Sequence, residues 1–404
     1  SILMFNISVL LFSPNPRLNV FKIFFFCKSL VLLFKILKTL GFGSKEKAFF
    51  PSLDQLKLLA SRYSFDDEGE SIFQEIVQAL ETDNKIPFDW SLQEAHHLEN
   101  NPKETWLDYI IYRFKFSEFP KRLIESNFPV YLKVEPVSTC NLRCVMCFQI
   151  DKSFTRKPFM GTMDLDLFKS VIDEAEKEGT KAITLGSRGE PTLHPKLPDM
   201  LDYMSKKFIE IKLITNATRL TEDLCHHILK SEVDILNYSV DADEKELYER
   251  IRVKGKFEQV YDNICRFNEI RKKHYPKSKI VTRVSGVKFD SEQNIDRFIK
   301  FWSPHIDEVG MKEAAMRWNT YENELNNGKI SPCFDLWQTM YVWFDGKTNP
   351  CDSDYKSMLS PGSIMNSSIK EIWRGKKMKK LRREHASDKR NGITPCDRCG
   401  VYVN

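Results

Sequence analysis

The chain has 404 residues, a length that favours two or three domains and is sufficient to bury a core without disulfide support. Hydrophobic residues make up 42% and charged residues 29%, which excludes a disordered chain, a collagen-like chain and a multi-span membrane protein. The net charge of +5 comes entirely from residues 1–50, which hold seven basic side chains and one acidic side chain. The other residues are close to neutral, so we expect no nucleic-acid partner.

Residues 1–50 read as an apolar, basic extension. The segment from Leu18 to Leu40 is rich in Phe and Leu, but lysines interrupt it before it reaches the roughly 18 apolar residues that a spanning helix needs. An amphipathic helix at a membrane interface also fits this composition. We interpret residues 1–50 as a peripheral or non-native extension and expect membrane contact only if the segment is genuine.

Residues 51–128 show helical spacing. Apolar residues recur at the i, i+4, i+5 and i+8 positions of one helix face, as at Ile72, Ile76, Val77 and Leu80. We therefore expect a helical N-terminal region. His96 and His97 fall within it, and we interpret both as exposed helix residues rather than ligands.

Residues 129–320 alternate between short apolar runs and helical patterns. The predicted strands are Val130–Val137, Ala182–Leu185, Ile209–Thr215, Val233–Val240, Ile280–Val287 and His305–Met311. Such alternation predicts an α/β fold with a parallel sheet and helices outside it. Six units are too few for a closed eight-fold barrel, so we expect a partial (β/α)6 barrel. Its chemistry should lie on the loops after the carboxyl ends of the strands.

Three cysteines follow the first predicted strand. Cys140, Cys144 and Cys147 have the spacing C-x3-C-x2-C, and their soft thiolates suit an iron–sulfur cluster or zinc. Three ligands leave one iron of a four-iron cluster open, whereas a structural zinc site takes four protein ligands. This loop contains no fourth Cys or His. A zinc-binding scaffold protein without enzymatic activity is the non-enzyme alternative.

The cysteine motif resembles the signature of the radical S-adenosylmethionine (radical SAM) superfamily. The resemblance implies that Cys140, Cys144 and Cys147 hold a 4Fe–4S cluster. It also implies that the amino and carboxylate groups of S-adenosylmethionine (SAM) chelate the open iron.

Further motifs on strand-end loops resemble the same family. Gly186–Pro195 is similar to its glycine–glutamate–proline motif, Thr215–Asn216 to a loop that contacts SAM, and Tyr238–Asp241 to a ribose-facing motif. Gly189 would permit a close backbone approach that a side chain blocks. By resemblance, the SAM contacts are expected at Met146, Gly189, Glu190, Asn216, Ser239, Asp241 and Arg252.

Four more cysteines follow the predicted barrel. Gaps of 17, 44 and two residues separate them, and an Asp345-Gly346 turn signal between the first two predicts a β-hairpin. A four-cysteine zinc knuckle fits this spacing. The pattern also resembles the shortened SPASM domain called twitch. That resemblance implies a small α+β domain over residues 321–404, with one auxiliary 4Fe–4S cluster held by Cys333, Cys351, Cys396 and Cys399.

The resemblance implies a radical SAM oxidoreductase. Its reduced cluster would cleave SAM, and the resulting radical would remove a hydrogen atom from a small-molecule substrate, expected to be carbohydrate- or cyclitol-like and to become oxidised. An external electron donor such as flavodoxin or ferredoxin and a cytoplasmic location are expected. The alternatives are a radical SAM epimerase and a peptide-modifying maturase.

No catalytic residue is identified by the sequence. A base is expected at the barrel mouth, with Arg188, Arg283 and Asp352 as unranked candidates. Cys225 and Cys265 fall inside predicted outer helices, away from the mouth, and are poor candidates for returning a hydrogen atom. Oxidation is therefore favoured over thiol-dependent epimerisation.

Overall fold

The computed structural model describes residues 48–314, 319–325 and 331–401. The extension predicted at residues 1–50 lies almost entirely outside this part of the chain. Within it, no helix is both long enough and apolar enough to cross a membrane.

Four helices precede the sheet, in agreement with the apolar spacing. Ser52 and Ser91 begin the first and third with capping boxes, and the Asp66 carboxylate caps the second by accepting the Gly69 N–H. The apolar faces of these helices share one core. The helices are α1 (Leu53–Ala60), α2 (Asp67–Thr82), α3 (Leu92–Asn100) and α4 (Trp106–Arg122).

The main sheet has the strand order β6-β5-β4-β3-β2-β1-β7-β8. The first six strands pair in parallel with their sequence neighbours, which confirms the predicted α/β partial barrel. They are β1 (Tyr131–Val134), β2 (Ala182–Leu185), β3 (Glu210–Thr215), β4 (Ile235–Ser239), β5 (Val281–Lys288) and β6 (Glu308–Glu313).

Helices cover the outer face of these strands. They are α5 (Leu165–Lys177), α6 (Leu197–Met204), α7 (Glu222–Lys230), α8 (Lys245–Ile251), α9 (Phe257–His274) and α10 (Ile295–Trp302). Because side chains alternate along a strand, Leu132 and Val134 are buried among these helices, as are their equivalents on the other strands. Lys133 and Thr184 belong to the opposite, inner face. The concave wall of the partial barrel is therefore largely polar.

The N-terminal helices close the end of the barrel where the strands begin. Tyr131 and Ala182, the first residues of β1 and β2, belong to the helical core. His97 stacks on Tyr109 with ring centroids 3.8 Å apart, and burial lowers its pKa to about 4. His97 is therefore half-buried at the helix surface, whereas His96 is exposed. The cause is the barrel beneath α3, which the helix pattern alone does not reveal.

The C-terminal region extends the sheet. A short α11 (Asp335–Gln338) leads into β7 (Thr339–Val342), which pairs in parallel with β1. The predicted hairpin is confirmed: β8 (Thr348–Asn349) pairs antiparallel with β7, and Gly346 takes the positive φ of 78° that the turn requires. Two helices follow, α12 (Ile369–Trp373) and α13 (Lys376–Ala386).

Candidate active site and iron–sulfur cluster sites

The loop that carries the first three cysteines follows β1 and is fixed by backbone contacts. The N–H groups of Arg143 and Val145 donate to the carbonyls of Val253 and Ile251 over 2.9 Å and 3.0 Å. These carbonyls come from the end of α8. The cysteine loop is therefore fastened to the opposite side of the barrel rim.

The thiols of this loop are buried or half-buried and are not in disulfides. Burial raises the pKa of Cys140 to about 11 and that of Cys147 to about 12. Backbone N–H groups of Leu142 and Gln149 point at the Cys140 and Cys147 sulfurs. Such thiols need nearby positive charge to ionise, and iron supplies it when a cluster binds.

Gly189 and Glu190 hold the neighbouring loops around the cysteine loop. A Cβ at Gly189 would lie 2.0 Å from the Val137 carbonyl oxygen, so backbone packs directly on backbone there. The buried Glu190 carboxylate accepts from Thr215 Oγ1 and from the Asn216 N–H, both at 2.7 Å. Both residues thus join the loops after β1, β2 and β3.

Asn216 brings the third loop against the cluster loop. Its Nδ2 donates to Asn141 Oδ1 over 3.0 Å and lies 3.8 Å from Cys140 Sγ. Its Oδ1 accepts from the Thr218 N–H at 3.0 Å, which fixes the amide. Asn216 is therefore beside a cluster ligand.

Asp241 and Arg252 form a buried ion pair on the other side of the cysteines. Asp241 has a φ of 68° and follows β4, and its carboxylate also accepts the Val287 N–H at 2.7 Å. Arg252 Nε donates to Asp241 Oδ2 over 2.7 Å. Burial raises the pKa of Cys144, and the adjacent Arg252 opposes that rise.

Ser239 and Met146 complete the set of predicted SAM contacts. Ser239 ends β4, is half-buried and pairs in register with Ser285 of β5. Met146 lies between two cluster cysteines and packs against the main core. Six of the seven residues are on strand-end loops or strand ends beside the cysteine loop, and Arg252 is at the C-terminal end of α8. Their contacts with SAM stay a prediction.

The four C-terminal cysteines face one cavity. Cys333, Cys351, Cys396 and Cys399 line it together with Asp335, Asp352 and Arg390. Burial raises the pKa of Cys396 to about 12, and that of Cys333 and Cys351 well above the usual value. The Cys333 N–H donates to the buried His385 Nδ1 over 3.2 Å. Residues far apart in sequence thus converge on one group of thiols.

Buried polar atoms without a partner among the described residues occur beside both cysteine groups. Gln149 Oε1, Ser187 Oγ and Tyr248 Oη are such atoms near the first group. Near the second they are Asn349 Oδ1, His385 Nε2, Arg390 Nε and Asp397 Oδ1. In the same part of the chain, no three His, Cys, Asp or Glu side chains have the spacing of ligands to a single metal ion. Thiols that form no disulfide and have unsatisfied polar atoms beside them fit bound iron–sulfur clusters.

Comparison with known proteins decides the family. Residues 134–301 match the model of the radical SAM superfamily, and residues 327–400 match that of the SPASM iron–sulfur cluster-binding domain. The chain belongs to the radical SAM superfamily. It is an enzyme family that binds SAM and 4Fe–4S clusters, so the predicted cofactors are confirmed.

Curated relatives resemble parts of this radical SAM chain. The cofactor-modifying protein of tungsten-containing aldehyde ferredoxin oxidoreductase from Pyrococcus furiosus is 38% identical over 113 residues, 28% of this chain and 31% of the relative. Mycofactocin maturase MftC from Mycobacterium tuberculosis is 30% identical over 142 residues, 34% of this chain and 35% of the relative. The chain thus spans about a third of the length of these relatives.

Solved structures share the fold. Streptococcus suis SuiB bound to the precursor peptide SuiA has a TM-score of 0.52 and 14% identity, covering 84% of this chain and 87% of SuiB. AnSMEcpe with bound AdoMet has a TM-score of 0.51 and 16% identity, covering 68% of this chain and 88% of anSMEcpe. At these identities the likeness concerns the fold alone.

Arg188 is a structural residue of this radical SAM enzyme rather than a base. Its Nε and Nη2 donate to the fully buried Glu135 carboxylate over 2.7 Å and 2.5 Å, and its Nη1 donates to the Tyr355 carbonyl over 2.8 Å. The guanidinium also lies 3.9 Å from the centroid of the Trp343 ring. The expectation of a base at Arg188 is wrong, because the group is fully engaged between the barrel and the SPASM domain.

The other two base candidates are Arg283 and Asp352. Arg283 is the third residue of β5, and its guanidinium pairs with the Glu308 carboxylate at 2.5 Å. Asp352 lines the cavity of the four SPASM cysteines. A role for either residue as the base stays a prediction.

Two residues that organise the site escaped the sequence prediction. Glu135 is an acidic side chain in an apolar strand, a signal that a buried partner exists. Gln149 Nε2 donates to the carbonyls of Ser138 and Arg188 over 2.7 Å and 2.6 Å, joining the loops after β1 and β2. A glutamine two residues after a cysteine ligand gives no such signal in the sequence.

Proposed function

We propose that this radical SAM enzyme oxidises a small polar substrate by removing a hydrogen atom and then one electron and one proton. The substrate binds against the inner wall of the barrel, below the cysteine loop. The polar inner face supports this position, because apolar residues fill the outer face instead. Carbohydrate-like or cyclitol-like compounds fit such a wall.

When bound, the cofactors supply reductive SAM cleavage, a 5′-deoxyadenosyl radical and a one-electron acceptor. The protein supplies position. Glu190 and Asn216 hold the loop after β3 against the cysteine loop, and the Asp241–Arg252 pair holds the opposite side. These contacts are made by buried groups, so the rim is fixed before a substrate arrives.

The observation that carries the proposal is the shared cavity of the four SPASM cysteines. With Cys333, Cys351, Cys396 and Cys399 as ligands, every iron of an auxiliary 4Fe–4S cluster has a protein ligand. Such a cluster has no open iron for a substrate, and electron transfer is the role left to it. A substrate radical that loses an electron to it, and a proton to a base, is converted into a carbonyl or an equivalent double bond.

The positions of the other cysteines support oxidation over epimerisation. Cys225 lies on α7 and is fully buried in the outer core, and Cys265 lies on α9. Both helices belong to the outer layer. Among the described residues, the only cysteines at the rim or in the SPASM cavity are the seven assigned to clusters. Among the described residues, the rim and the SPASM cavity therefore contain no further thiol that could return a hydrogen atom to the substrate radical.

Modification of a peptide is the second candidate. It is supported by the printed names of relatives, mycofactocin maturase MftC and the subtilosin biosynthesis protein AlbA of Bacillus subtilis, which is 28% identical over 143 residues. SuiB, which shares the fold, was solved with a precursor peptide. The helical N-terminal region differs from the winged-helix module with a β-hairpin that is expected of many peptide-modifying relatives.

Deuterium transfer identifies the substrate class. Cells of the source organism are grown in heavy water, and their extract is separated into a small-molecule fraction and a peptide fraction. Each fraction is incubated anaerobically with cluster-loaded enzyme, SAM and dithionite. The molecular mass of the 5′-deoxyadenosine that forms is then measured by mass spectrometry. We expect deuterium-containing 5′-deoxyadenosine with the small-molecule fraction. Deuterium only from the peptide fraction selects the peptide candidate, and no 5′-deoxyadenosine in any sample refutes radical SAM activity.

The product mass decides the reaction. Loss of two hydrogen atoms from the substrate supports oxidation. An unchanged mass with one deuterium taken up from heavy-water buffer contradicts it and indicates epimerisation.

A further inference from the structure

One level of the inner barrel wall carries a row of four polar side chains. The strand register places Tyr341 of β7 beside Lys133 of β1, Lys133 beside Thr184 of β2, and Thr184 beside Lys212 of β3. Glu135 directly follows β1, two residues after Lys133, and its carboxylate accepts the Arg188 N–H of the loop after β2. Lys133 is therefore roughly 7 Å deeper in the barrel than Glu135, at about 3.3 Å per residue.

Most cations of this wall and rim are neutralised by a carboxylate. Lys212 pairs with Glu210 at 3.4 Å, and Arg283 pairs with Glu308 at 2.5 Å. The rim arginines behave alike, because Arg188 pairs with Glu135 and Arg252 pairs with Asp241, each at 2.5 Å. In each of these four ion pairs, a neighbouring carboxylate neutralises the charge of the cation.

Lys133 differs from these cations. Its Nζ donates to Tyr341 Oη over 2.9 Å and lies 4.8 Å from the centroid of the same ring. Within the described part of the chain, no carboxylate lies within 4.0 Å of this ammonium group. The nearest acidic link is indirect, since Asp335 lies 3.5 Å from Tyr341 Oη.

A half-buried ammonium with one neutral partner is poorly compensated. It carries three N–H donors, and Tyr341 Oη accepts from one of them. Charge attraction is stronger in a partly dehydrated cleft than in water, and charged groups removed from water are normally paired. The position therefore favours an incoming anion with two oxygens, such as a carboxylate or a phosphate.

We propose that Lys133 is a substrate-binding residue that pairs with an anionic oxygen group of the substrate. This inference rests on the proposed function and deepens it by naming the substrate class: a polar molecule that bears a carboxylate or a phosphate. The anionic end lies deep in the barrel at Lys133. The carbon that loses hydrogen lies nearer the rim, on the side of the cysteine loop.

Anion titration tests the proposal without any turnover. Cluster-loaded enzyme is titrated anaerobically with succinate and, separately, with inorganic phosphate, at constant ionic strength in an isothermal calorimeter. The unaltered enzyme is expected to bind at least one of the two with one site per chain. Lys133→Gln should weaken this binding at least tenfold, and Lys133→Arg should restore most of it.

The control is Lys256→Gln, which removes one positive charge from an exposed surface position. Its affinity for the anion should match that of the unaltered enzyme. Binding of succinate alone indicates a carboxylate-bearing substrate, and binding of phosphate alone indicates a phosphate ester. The absence of binding, or equal binding by Lys133→Gln, overturns the proposal.

SAM cleavage is measured on the same samples. Cleavage without substrate should persist in Lys133→Gln, because Lys133 lies below the rim residues. If the unaltered enzyme does not cleave SAM, the proposed function is contradicted. If Lys133→Gln binds the anion as tightly as the unaltered enzyme does, only the role of Lys133 is contradicted. The two failures are thus distinguishable.

Discussion

Replacing one partner of the buried Glu135–Arg188 ion pair should have a large effect on the stability of the enzyme. Glu135 is fully buried and Arg188 is 3% exposed. In Arg188→Met, the Glu135 carboxylate loses two hydrogen bonds and its counter-ion, and the Tyr355 carbonyl loses a donor. The barrel and the SPASM domain are therefore both affected by a single change.

The expected cost follows from these contacts. Breaking a buried ion pair by removing one partner destabilises by about 3–5 kcal/mol, because an uncompensated charge is left behind. The lost hydrogen bond to the Tyr355 carbonyl adds about 0.5–1.5 kcal/mol. This is a large part of the roughly 5–15 kcal/mol that holds a typical domain folded. Tyr355 is four residues after Cys351, so we also expect loss of iron from the SPASM domain.

Urea unfolding of the anaerobic enzyme, followed by circular dichroism, measures the effect. Lys57→Met is the matched control, because Lys57 pairs with Glu81 on the surface, where an ion pair contributes less than about 1 kcal/mol. The double change Glu135→Leu with Arg188→Met should recover part of the loss, since no buried charge is left. A single change as mild as the control, or a double change as harmful as the single one, refutes the reasoning.

Four further outcomes are expected. The enzyme should bind about eight iron atoms per chain, from two four-iron clusters, and replacing the three cluster-loop cysteines with Ala should remove about half of the iron and abolish SAM cleavage. Gly189→Ala should reduce iron in the first cluster, because its Cβ meets the Val137 carbonyl, whereas Gly310→Ala, with no atom within 4 Å, should have no effect. Deleting residues 1–47 should leave iron content and SAM cleavage intact, and loss of folding would show that this segment belongs to a core. Burial raises the pKa of Asp234 to about 7, so its stabilising contribution should fall as pH rises from about 4 to 7, and Asp234→Asn should flatten the dependence of the urea midpoint on pH across that range.

The strands and helices of the barrel were predictable because each buried strand is a short apolar run. The predicted strand Ala182–Leu185 coincides with β2, and the predicted Ile209–Thr215 differs from β3 by one residue. The cysteine spacings marked both cluster sites for a similar reason, because the ligand spacing is local in sequence. Local periodicity and local spacing therefore account for most of the fold and for the cysteine groups.

Partners that are distant in sequence could not be predicted in the same way. Nothing local indicates that β7 joins β1, because a parallel strand has no turn to mark its neighbour. The same limit applies to Arg188, whose partner Glu135 is 53 residues earlier. The partial burial of His97 was not predictable either, because its ring stacks on Tyr109 of another helix.

An aromatic contact joins the two groups of cysteines. Phe148 directly follows the ligand Cys147, and Tyr355 lies four residues after the ligand Cys351. Their rings stack at 5.0 Å with an interplanar angle of 17°, and both residues are buried in a small aromatic cluster. Aromatic pairs attract each other beyond the effect of burial, so this contact ties the loop after Cys147 to the loop after Cys351. If the proposed oxidation is correct, this contact would help to keep the site of hydrogen removal and the electron acceptor at a constant separation.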